Sequence, residues 1–373
     1  MIAKVTDRTP EVTHFAAGAQ WTGILSSDRD AWLTERHKYL TASDMAAVLG
    51  EDRYRSAFSV YIDKITARPA KEVIDINDPR FWGSALEQTI LTRTAAFFGW
   101  QYREGGALLA SRRYPFLGAT LDGEVDCGNG WENCEGKTTS YLCRRDWDEE
   151  TQDIPRRVLI QVQSQLLVTQ AERAKVICLI NGNRLVRVTV EPSEAFHALL
   201  VEEGERFMDM VARRIEPPCG ANDTDLLLRL YPEHTGAVVR LPAVATEWAR
   251  ELDALGAQRR AIERREKEIK NWLRRSIASA SWGMLSEPVA DRQFFKLSTE
   301  SVPTHTVEAH DKHVIRAIKH GPRIVEPLPF ALNDRGDPDF PVEGLEESVA
   351  LGSRIREHVE TTKTPKKRRK ARR

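Results

Sequence analysis

Three side chains near the middle of the chain have the types and spacing of a metal-dependent phosphodiester site. Asp122 stands in a Leu-Asp-Gly turn at a strand edge, and Glu135 closes the next predicted strand. Carboxylates on neighbouring strand ends can share a hard divalent cation and leave positions for phosphate and water. Lys137 follows Glu135 by two residues, so both face the same side of the strand. There Lys137 would orient or deprotonate the attacking water, or stabilise charge on the phosphate.

The Glu-x-Lys spacing carries little information by itself. It occurs again at Glu268, within a predicted long helix, where both charges are expected to face solvent. The preceding Asp122 and the order helix, strand, Asp, strand, Glu-x-Lys, helix carry more weight. From spacing alone, two interpretations stay open. One is a metal-dependent nuclease site, and the other is a hairpin turn beside a solvated ion pair.

Hydrophobic periodicity predicts the elements that position these residues. A long helix over 81–98, closed by Gly99, comes before them, and an amphipathic helix over 156–170 comes after. A further helix is predicted over 43–49, with Ser43 as its N-cap. Short strands, with a Gly-Asn-Gly hairpin turn among them, are predicted over 107–111, 116–121, 123–126, 131–135, 175–180 and 185–190. This layout predicts an α/β (α+β) domain with a central mixed sheet flanked by helices.

Composition sets the broad class. At 373 residues with 41% hydrophobic side chains, the chain is long enough for one large domain or two modest ones. It has no apolar run of membrane-helix length and no apolar leader at its start, so we expect a cytoplasmic protein with no membrane association. The five cysteines have neither the spacing of a zinc site nor that of a disulfide framework.

Charge is distributed unevenly along the chain. The net charge is zero, but the last eleven residues carry eight of the 55 Lys and Arg residues and no acid. The rest of the chain is therefore mildly acidic. Such a tail suits contact with DNA, and it also resembles a nuclear localisation signal. The candidate DNA-binding residues are Lys366, Lys367, Arg368, Arg369 and Lys370.

Six short motifs stand in order along residues 28–215. They are W-L-T-E-R at 32–36, L-T-A-S at 40–43, W-G-S-A-L-E at 82–87, A-T-L-D-G at 119–123, E-G-K at 135–137 and Q-V-Q-S-Q-L-L-V-T at 161–169. Together they resemble the YqaJ-type viral recombinase, or lambda exonuclease-like, family of the PD-(D/E)xK nuclease superfamily. The resemblance implies a PD-(D/E)xK restriction-endonuclease-like core with a C-terminal long-helix extension. The domains we expect are an N-terminal arm (1–25), the nuclease domain (26–216), a linker (217–242), a long-helix arm with a short β segment (243–300) and a poorly structured region ending in the basic tail (301–373).

The resemblance also implies roles for the central residues. Asp122, Glu135 and the backbone carbonyl of Gly136 would bind one or two Mg²⁺ ions, with Mn²⁺ able to substitute. Glu87 matches an additional acidic residue near the metal ions. Lys137 would position the nucleophilic water.

Two further sets of residues follow from the resemblance. Gln163 matches a glutamine that reaches the site from the following helix, whereas Gln161 and Gln165 are less secure, since residues i and i+2 on a helix point apart. Arg36 and Ser43 match residues that hold the terminal 5′-phosphate of DNA. A guanidinium binds phosphate with two hydrogen bonds, and a serine at a helix start adds a hydroxyl and free backbone amides.

The function implied is Mg²⁺-dependent 5′→3′ resection of linear double-stranded DNA from 5′-phosphorylated ends. The product would be a 3′ single strand for phage-type recombination by an annealing protein, in the cytoplasm of a bacterium or a phage-infected host. The family suggests a homotrimer. Two alternatives stay open: a structure- or sequence-specific endonuclease of the same superfamily, and a non-catalytic DNA-binding protein that uses the basic tail.

Overall fold

The computed structural model describes residues 18–66, 74–233, 238–289 and 292–296. These residues fall into two units, one ending at Leu230 and the other beginning at Tyr231. The basic tail, with Lys366, Lys367, Arg368, Arg369 and Lys370, lies outside the described residues, as does all of 301–373.

The first unit contains runs of strands and runs of helices, and the second unit consists of a long helix and a hairpin. The described strands are β1 (Ala19–Leu25), β2 (Leu40–Thr41), β3 (Gln101–Glu104), β4 (Ala107–Ser111), β5 (Leu117–Thr120), β6 (Gly123–Asp126), β7 (Trp131–Thr139), β8 (Ala174–Ile180), β9 (Arg184–Val190), β10 (Trp282–Val289) and β11 (Arg292–Lys296). The described α-helices are α1 (Arg29–Arg36), α2 (Ala42–Val48), α3 (Ala57–Ile65), α4 (Pro79–Phe98), α5 (Arg156–Thr169), α6 (Glu194–Arg213), α7 (Thr224–Leu230) and α8 (Ala245–Ile277). A 3₁₀ helix covers Tyr141–Asp146.

The main sheet has the order β3-β6-β7-β8-β9. It is mixed, because β7 and β8 run parallel while the other neighbours are antiparallel. The β6–β7 hairpin turns at Gly128 and Gly130, whose φ angles of 99° and 89° favour glycine. Asp126 stabilises this turn by accepting hydrogen bonds from both glycine amides, at 2.7 and 3.1 Å. The predicted mixed sheet flanked by helices is therefore confirmed.

A second sheet has the order β1-β4-β5-β2. In it β2 pairs in parallel with β5, so that Thr41 lies opposite Gly118. Strand β1 belongs to this sheet, although the sequence places its residues in an N-terminal arm. Its pairing with β4 is interrupted by a register shift between Trp21 and Leu25. That irregularity breaks the alternation of buried and exposed side chains by which a strand is recognised in sequence.

Helix α5 links the parallel strands β7 and β8 and is buried on nearly every side. The predicted amphipathic pattern is wrong on this point, because polar side chains of the helix are buried as well. Gln163 and Gln165 are at most 1% exposed. A buried polar side chain needs a hydrogen-bond partner, so α5 must direct these amides at specific groups.

The first unit extends beyond the predicted boundary at residue 216. Asp223 is buried at the start of α7, where it accepts a hydrogen bond from the Ser56 hydroxyl at 2.7 Å and another from the Gly220 amide at 2.5 Å. Ser56 is the N-cap of α3. Residues 217–230, predicted as part of a linker, are therefore anchored to the domain.

The second unit consists of α8 and the antiparallel β10–β11 hairpin. Helix α8 is 33 residues long and contains no buried residue. Its surface carries ion pairs one turn apart, such as Lys270 with Glu266. Among the described residues, no helix is long and apolar enough to cross a membrane.

If Asp223 anchors residues 217–230, then Asp223→Ala will lower the free energy of unfolding by about 1–3 kcal/mol, because the Ser56 hydroxyl and the Gly220 amide lose their acceptor. Chemical denaturation of the full chain measures this change. Asp225→Ala is the matched control, since Asp225 is exposed on the same helix, and it should change stability by no more than about 0.5 kcal/mol. Equal effects of the two substitutions would contradict the anchor.

Candidate active site

Asp122 and Glu135 meet where the chain passes from the second sheet into the main sheet. Asp122 lies between β5 and β6, and the β6–β7 register pairs Gly123 with Cys134, which places Asp122 beside Glu135. The Gly136 amide donates a hydrogen bond to Asp122 Oδ2 at 2.9 Å. Lys137 Nζ contacts Glu135 Oε1, as expected for residues two apart on one strand.

The backbone of Asp122 is fixed by three further groups. Its carbonyl oxygen accepts hydrogen bonds from the Gly105 amide, the Gln88 side chain and the Tyr102 hydroxyl, at 3.2, 2.9 and 3.2 Å. A Cβ at position 105 would lie 2.1 Å from the carbonyl oxygen of Leu121, so only glycine allows this close approach. Side chains of β3 and α4 thus fix the turn at Asp122 through hydrogen bonds to its backbone.

Glu87 reaches the same place from α4. A Cβ at Gly136 would lie 3.2 Å from Glu87 Cγ, so the absence of a side chain at position 136 lets α4 pack closely against β7. Burial, and then the nearby negative charge of Glu135, raise the pKa of the Glu87 carboxyl, so this group belongs to the same cluster. The four residues Asp122, Glu135, Lys137 and Glu87, expected to act together, are brought together.

The site concentrates negative charge in a buried place. Burial, and then the neighbouring charge of Glu135, raise the pKa of Asp122 well above its usual value and also raise that of Glu87. Burial alone would lower the pKa of Lys137, but Glu135 and Asp122 outweigh it and the pKa is raised. Three carboxyl groups therefore share one ammonium group. Mutual repulsion among them is relieved by protons or by a cation.

The oxygen donors of the site fit a hard divalent cation. Among the described residues, no three His, Cys, Asp or Glu side chains are grouped as a complete metal site. Asp122 and Glu135 with the carbonyl oxygen of Gly136 would instead form a partial set, which suits Mg²⁺ because that ion keeps several waters. Gln165 Oε1, close to Glu135, is also buried and accepts no hydrogen bond within the described part of the chain. The donor chemistry is thus that of Mg²⁺ or Mn²⁺ rather than of zinc.

Two glutamines of α5 hold Glu135, but they are not the one predicted first. Gln161 Nε2 donates to Glu135 Oε1 at 2.5 Å, and Gln165 Nε2 donates to Glu135 Oε2 at 2.6 Å. Gln163 points away: its amide donates to the Glu191 carbonyl at 2.8 Å and accepts from the Ser193 amide at 3.2 Å. The prediction that Gln163 reaches the site is therefore wrong.

The geometry of an α-helix explains why Gln163 points away from Glu135. Residues 161 and 165 are one turn apart and share a face of α5, whereas residue 163 lies on the other side. The i, i+4 spacing was visible in the sequence. It could not show which of the two faces met the strand that carries Glu135.

Arg36 and Ser43 also come together. Arg36 Nη2 donates to Ser43 Oγ at 2.5 Å and to Thr41 Oγ1 at 2.9 Å. The prediction that Ser43 caps α2 is wrong, since Thr41 is the N-cap and forms a capping box with Asp44. Because Thr41 provides the cap, the Ser43 hydroxyl is available to Arg36.

This pair is attached to the carboxylate cluster through Trp32. The guanidinium of Arg36 lies over the Trp32 ring, 4.8 Å from its centroid. The indole nitrogen of Trp32 donates to Thr120 Oγ1 at 3.1 Å, and Thr120 precedes Asp122 by two residues. Arg36 and Ser43 are therefore connected to the end of β5 that leads into the carboxylate site.

A mixed sheet that joins an Asp on one strand end to a Glu-x-Lys on the next is the arrangement expected of the PD-(D/E)xK nuclease class. Comparison with known families agrees with this: residues 31–172 match the YqaJ-like viral recombinase domain. Residues 31–172 are thus similar to a viral recombinase domain, and the arrangement of Asp122, Glu135 and Lys137 described above is that of a metal-dependent DNA nuclease.

Individual relatives are distant. The Bacillus subtilis (strain 168) protein described as "Uncharacterized protein YqaJ" is 26% identical over 263 residues, which make up 69% of this chain and 81% of that protein. The crystal structure of an alkaline exonuclease (LHK-Exo) from Laribacter hongkongensis is 19% identical, with a TM-score of 0.41, over 50% of this chain and 93% of that one. A phage-related exonuclease from Haemophilus somnus 129PT is 11% identical, with a TM-score of 0.32, over 49% and 98% of the two chains.

The glutamine geometry leads to a test with a built-in control. Gln161→Ala and Gln165→Ala should each lower kcat on linear duplex DNA by about 10–100-fold, because each removes one of the hydrogen bonds that orient Glu135. Gln163→Ala should change kcat by no more than roughly twofold but lower the melting temperature, because it removes two buried hydrogen bonds. A larger kcat loss for Gln163→Ala than for the other two would contradict this placement.

The crowding of carboxyl groups gives a pH-dependent prediction. Folding raises the pKa of Asp122. Without a metal ion, the protein therefore loses stability as the pH rises from the pKa of Asp122 in the unfolded chain through its pKa in the folded protein. In a chelator, Asp122→Asn should therefore melt a few degrees higher than the wild type at neutral pH, and the difference should vanish in acid. Adding Mg²⁺ should raise the melting temperature of the wild type only. If Asp122→Asn is less stable than the wild type in chelator at neutral pH, repulsion between the carboxyl groups does not destabilise the site.

Proposed function

We propose that this nuclease is a Mg²⁺-dependent 5′→3′ exonuclease that resects linear double-stranded DNA from 5′-phosphorylated ends. The observation that carries the proposal is the pairing of Arg36 with Ser43 beside Trp32, attached by the Trp32–Thr120 hydrogen bond to the strand that ends at Asp122. A site for a terminal phosphate next to a site of hydrolysis is what end-dependent cleavage requires. The Asp-Glu-Lys cluster alone would serve an exonuclease or an endonuclease equally well.

In this proposal Asp122, Glu135 and the carbonyl of Gly136 hold the divalent ion, and Glu87 adds negative charge nearby. The ion would supply Lewis-acid stabilisation of the charge that develops on the phosphate. Glu135 is held in place by Gln161 and Gln165, so its orientation does not depend on the bound DNA.

Lys137 acts in this proposal as an ammonium group. Burial lowers its pKa, but Glu135 and Asp122 outweigh that effect and raise it in the protein without a metal ion, so Lys137 serves here as a hydrogen-bond donor. Its side chain is 22% exposed and lines a cavity of about 240 Å³ that also includes Arg156 and Arg157. From there it would position the attacking water or stabilise charge on a phosphate oxygen.

Arg36 and Ser43 would hold the 5′-phosphate of the end being degraded. Within the described residues, only Nη2 of Arg36 donates hydrogen bonds, so the N–H groups on Nη1 and Nε remain for a ligand. A planar guanidinium binds two phosphate oxygens at once, which distinguishes a phosphorylated end from a hydroxyl end.

The product would be a 3′ single strand, which an annealing protein or recombinase would take up. A homotrimer and DNA contact by Lys366, Lys367, Arg368, Arg369 and Lys370 remain further parts of the proposal. Salt-dependent weakening of DNA binding on removal of these basic residues would support the contact.

Purified full-length protein with Mg²⁺ should degrade linear duplex DNA, faster with a 5′-phosphate than with a 5′-hydroxyl, and leave a covalently closed circle intact. Lys137→Ala should lower the rate on linear DNA by about 10²–10³-fold, because one preorganised donor is lost. Lys270→Ala is the matched control, as it alters the second Glu-x-Lys, which is exposed on α8. Gel analysis of the three substrates gives the readout.

Each alternative has its own outcome. Cutting of the closed circle would show an endonuclease. DNA binding without any Lys137-dependent cleavage would show a non-catalytic DNA-binding protein. The complete Asp122, Glu135 and Lys137 set favours an active enzyme, since a protein that only binds DNA does not require all three.

A further inference from the structure

A buried carboxylate lies directly beneath Arg36 and Ser43, and the proposed chemistry does not use it. Asp44 is 3% exposed. Its Oδ1 lies 2.8 Å from an Arg55 nitrogen and 3.7 Å from Arg36 Nη2, and its Oδ2 lies 3.3 Å from Lys64 Nζ. Three cationic side chains therefore surround one buried anion. The balance of charge at this place is positive, which suits the binding of a further anion.

The hydrogen bonds around Asp44 have only one consistent direction. Thr41 has a single hydroxyl proton, and it donates that proton to Asp44 Oδ2 at 2.7 Å, since a carboxylate can only accept. The lone pairs of Thr41 Oγ1 then accept from Arg36 Nη2 at 2.9 Å. Asp44 thereby fixes both the position of the guanidinium and the orientation of the Thr41 hydroxyl.

The same reasoning fixes the Ser43 hydroxyl. Ser43 Oγ accepts from Arg36 Nη2 and lies 3.2 Å from Thr41 Oγ1. Because the Thr41 proton is committed to Asp44, Ser43 must be the donor in that contact. A phosphate oxygen is a stronger acceptor than a threonine hydroxyl, so it would take the Ser43 proton readily. The groups that face an incoming phosphate are therefore all donors.

We propose that Asp44 is a positioning residue that sets the preference for 5′-phosphorylated over 5′-hydroxyl DNA ends by holding Arg36 and, through Thr41, orienting the Ser43 hydroxyl as a donor. This inference rests on the proposed 5′-phosphate pocket. Asp44 does not contact the phosphate, because its two oxygens already accept hydrogen bonds from Thr41 and Arg55. Its negative charge keeps Arg36 in place without competing for the ligand.

The test compares Asp44→Asn with Asp63→Asn in the full chain, on two duplexes that differ only in a 5′-phosphate or a 5′-hydroxyl. Asp63 is the matched control because it pairs with Arg55 at 2.6 Å, as Asp44 does, but is 55% exposed. We expect Asp44→Asn to lower the ratio of kcat/KM for the phosphorylated over the hydroxyl duplex by about tenfold or more, mainly through KM. Asp63→Asn should keep that ratio within roughly twofold of the wild type.

A second pair of variants covers the case in which Asp44→Asn fails to fold, as judged by circular dichroism. Thr41→Val removes the hydroxyl that links Asp44 to Arg36 and should lower the same ratio. Thr41→Ser keeps the hydroxyl and should restore it. A loss of stability alone would not make this ratio of kcat/KM values differ between Thr41→Val and Thr41→Ser.

The outcomes separate the inference from the proposed function. A wild-type preference for 5′-phosphate that is lost in Arg36→Ala but kept in folded Asp44→Asn would overturn the role of Asp44 alone. If Asp44→Asn does not fold, an unchanged ratio in Thr41→Val would overturn it. A wild type with no preference between the two ends would overturn the phosphate pocket, and the role of Asp44 with it.

Discussion

The rest of the domain depends on giving hydrogen-bonding partners to the buried carboxyl oxygens of Glu135. Its side chain is 1% exposed, and an unpaired charge at such a place is too costly to persist. Each of its oxygens is therefore paired: Lys137 and Gln161 contact Oε1, and Gln165 contacts Oε2. These contacts require β7 to run past Glu135 and α5 to present two amides one turn apart. The crossover from β7 through α5 to β8 is the connection that meets both requirements.

Asp122 introduces a conflict that the packing does not remove. A second carboxyl group beside Glu135, and a third on Glu87, raise the energy of the ionised site. Yet the chain fixes Asp122 firmly, through the Gly136 amide and through the groups that hold its backbone carbonyl. Repelling carboxyl groups that are fixed in one place lower the stability of the folded protein, but together they bind a cation. Such an arrangement is typical of a functional site.

Much of this arrangement could be predicted from local sequence, because alternation and turn residues fix strands β4 to β9 within a few residues. The same holds for Asp122, Glu135 and Lys137, whose common face follows from the period of a strand. The predictions that the structure contradicts have one cause in common. Helix geometry separates Gln163 from Gln161 and Gln165, and only tertiary packing decides which of the two faces meets Glu135. Likewise β1 depends on β4, a partner distant in sequence.

The two candidate sites are built on different elements and meet at β5. Thr41, which orients Arg36 and Ser43, lies on β2, whose only paired neighbour among the described strands is β5. Trp32 is hydrogen-bonded to Thr120 at the end of β5, and Asp122 follows two residues later. A single strand therefore sets the spacing between the proposed phosphate pocket and the carboxylate cluster. Because a β-strand is nearly inextensible, that spacing is constant. In the proposed exonuclease, cleavage at a fixed step from the end would follow from this rigid connection, with no need to read the DNA sequence.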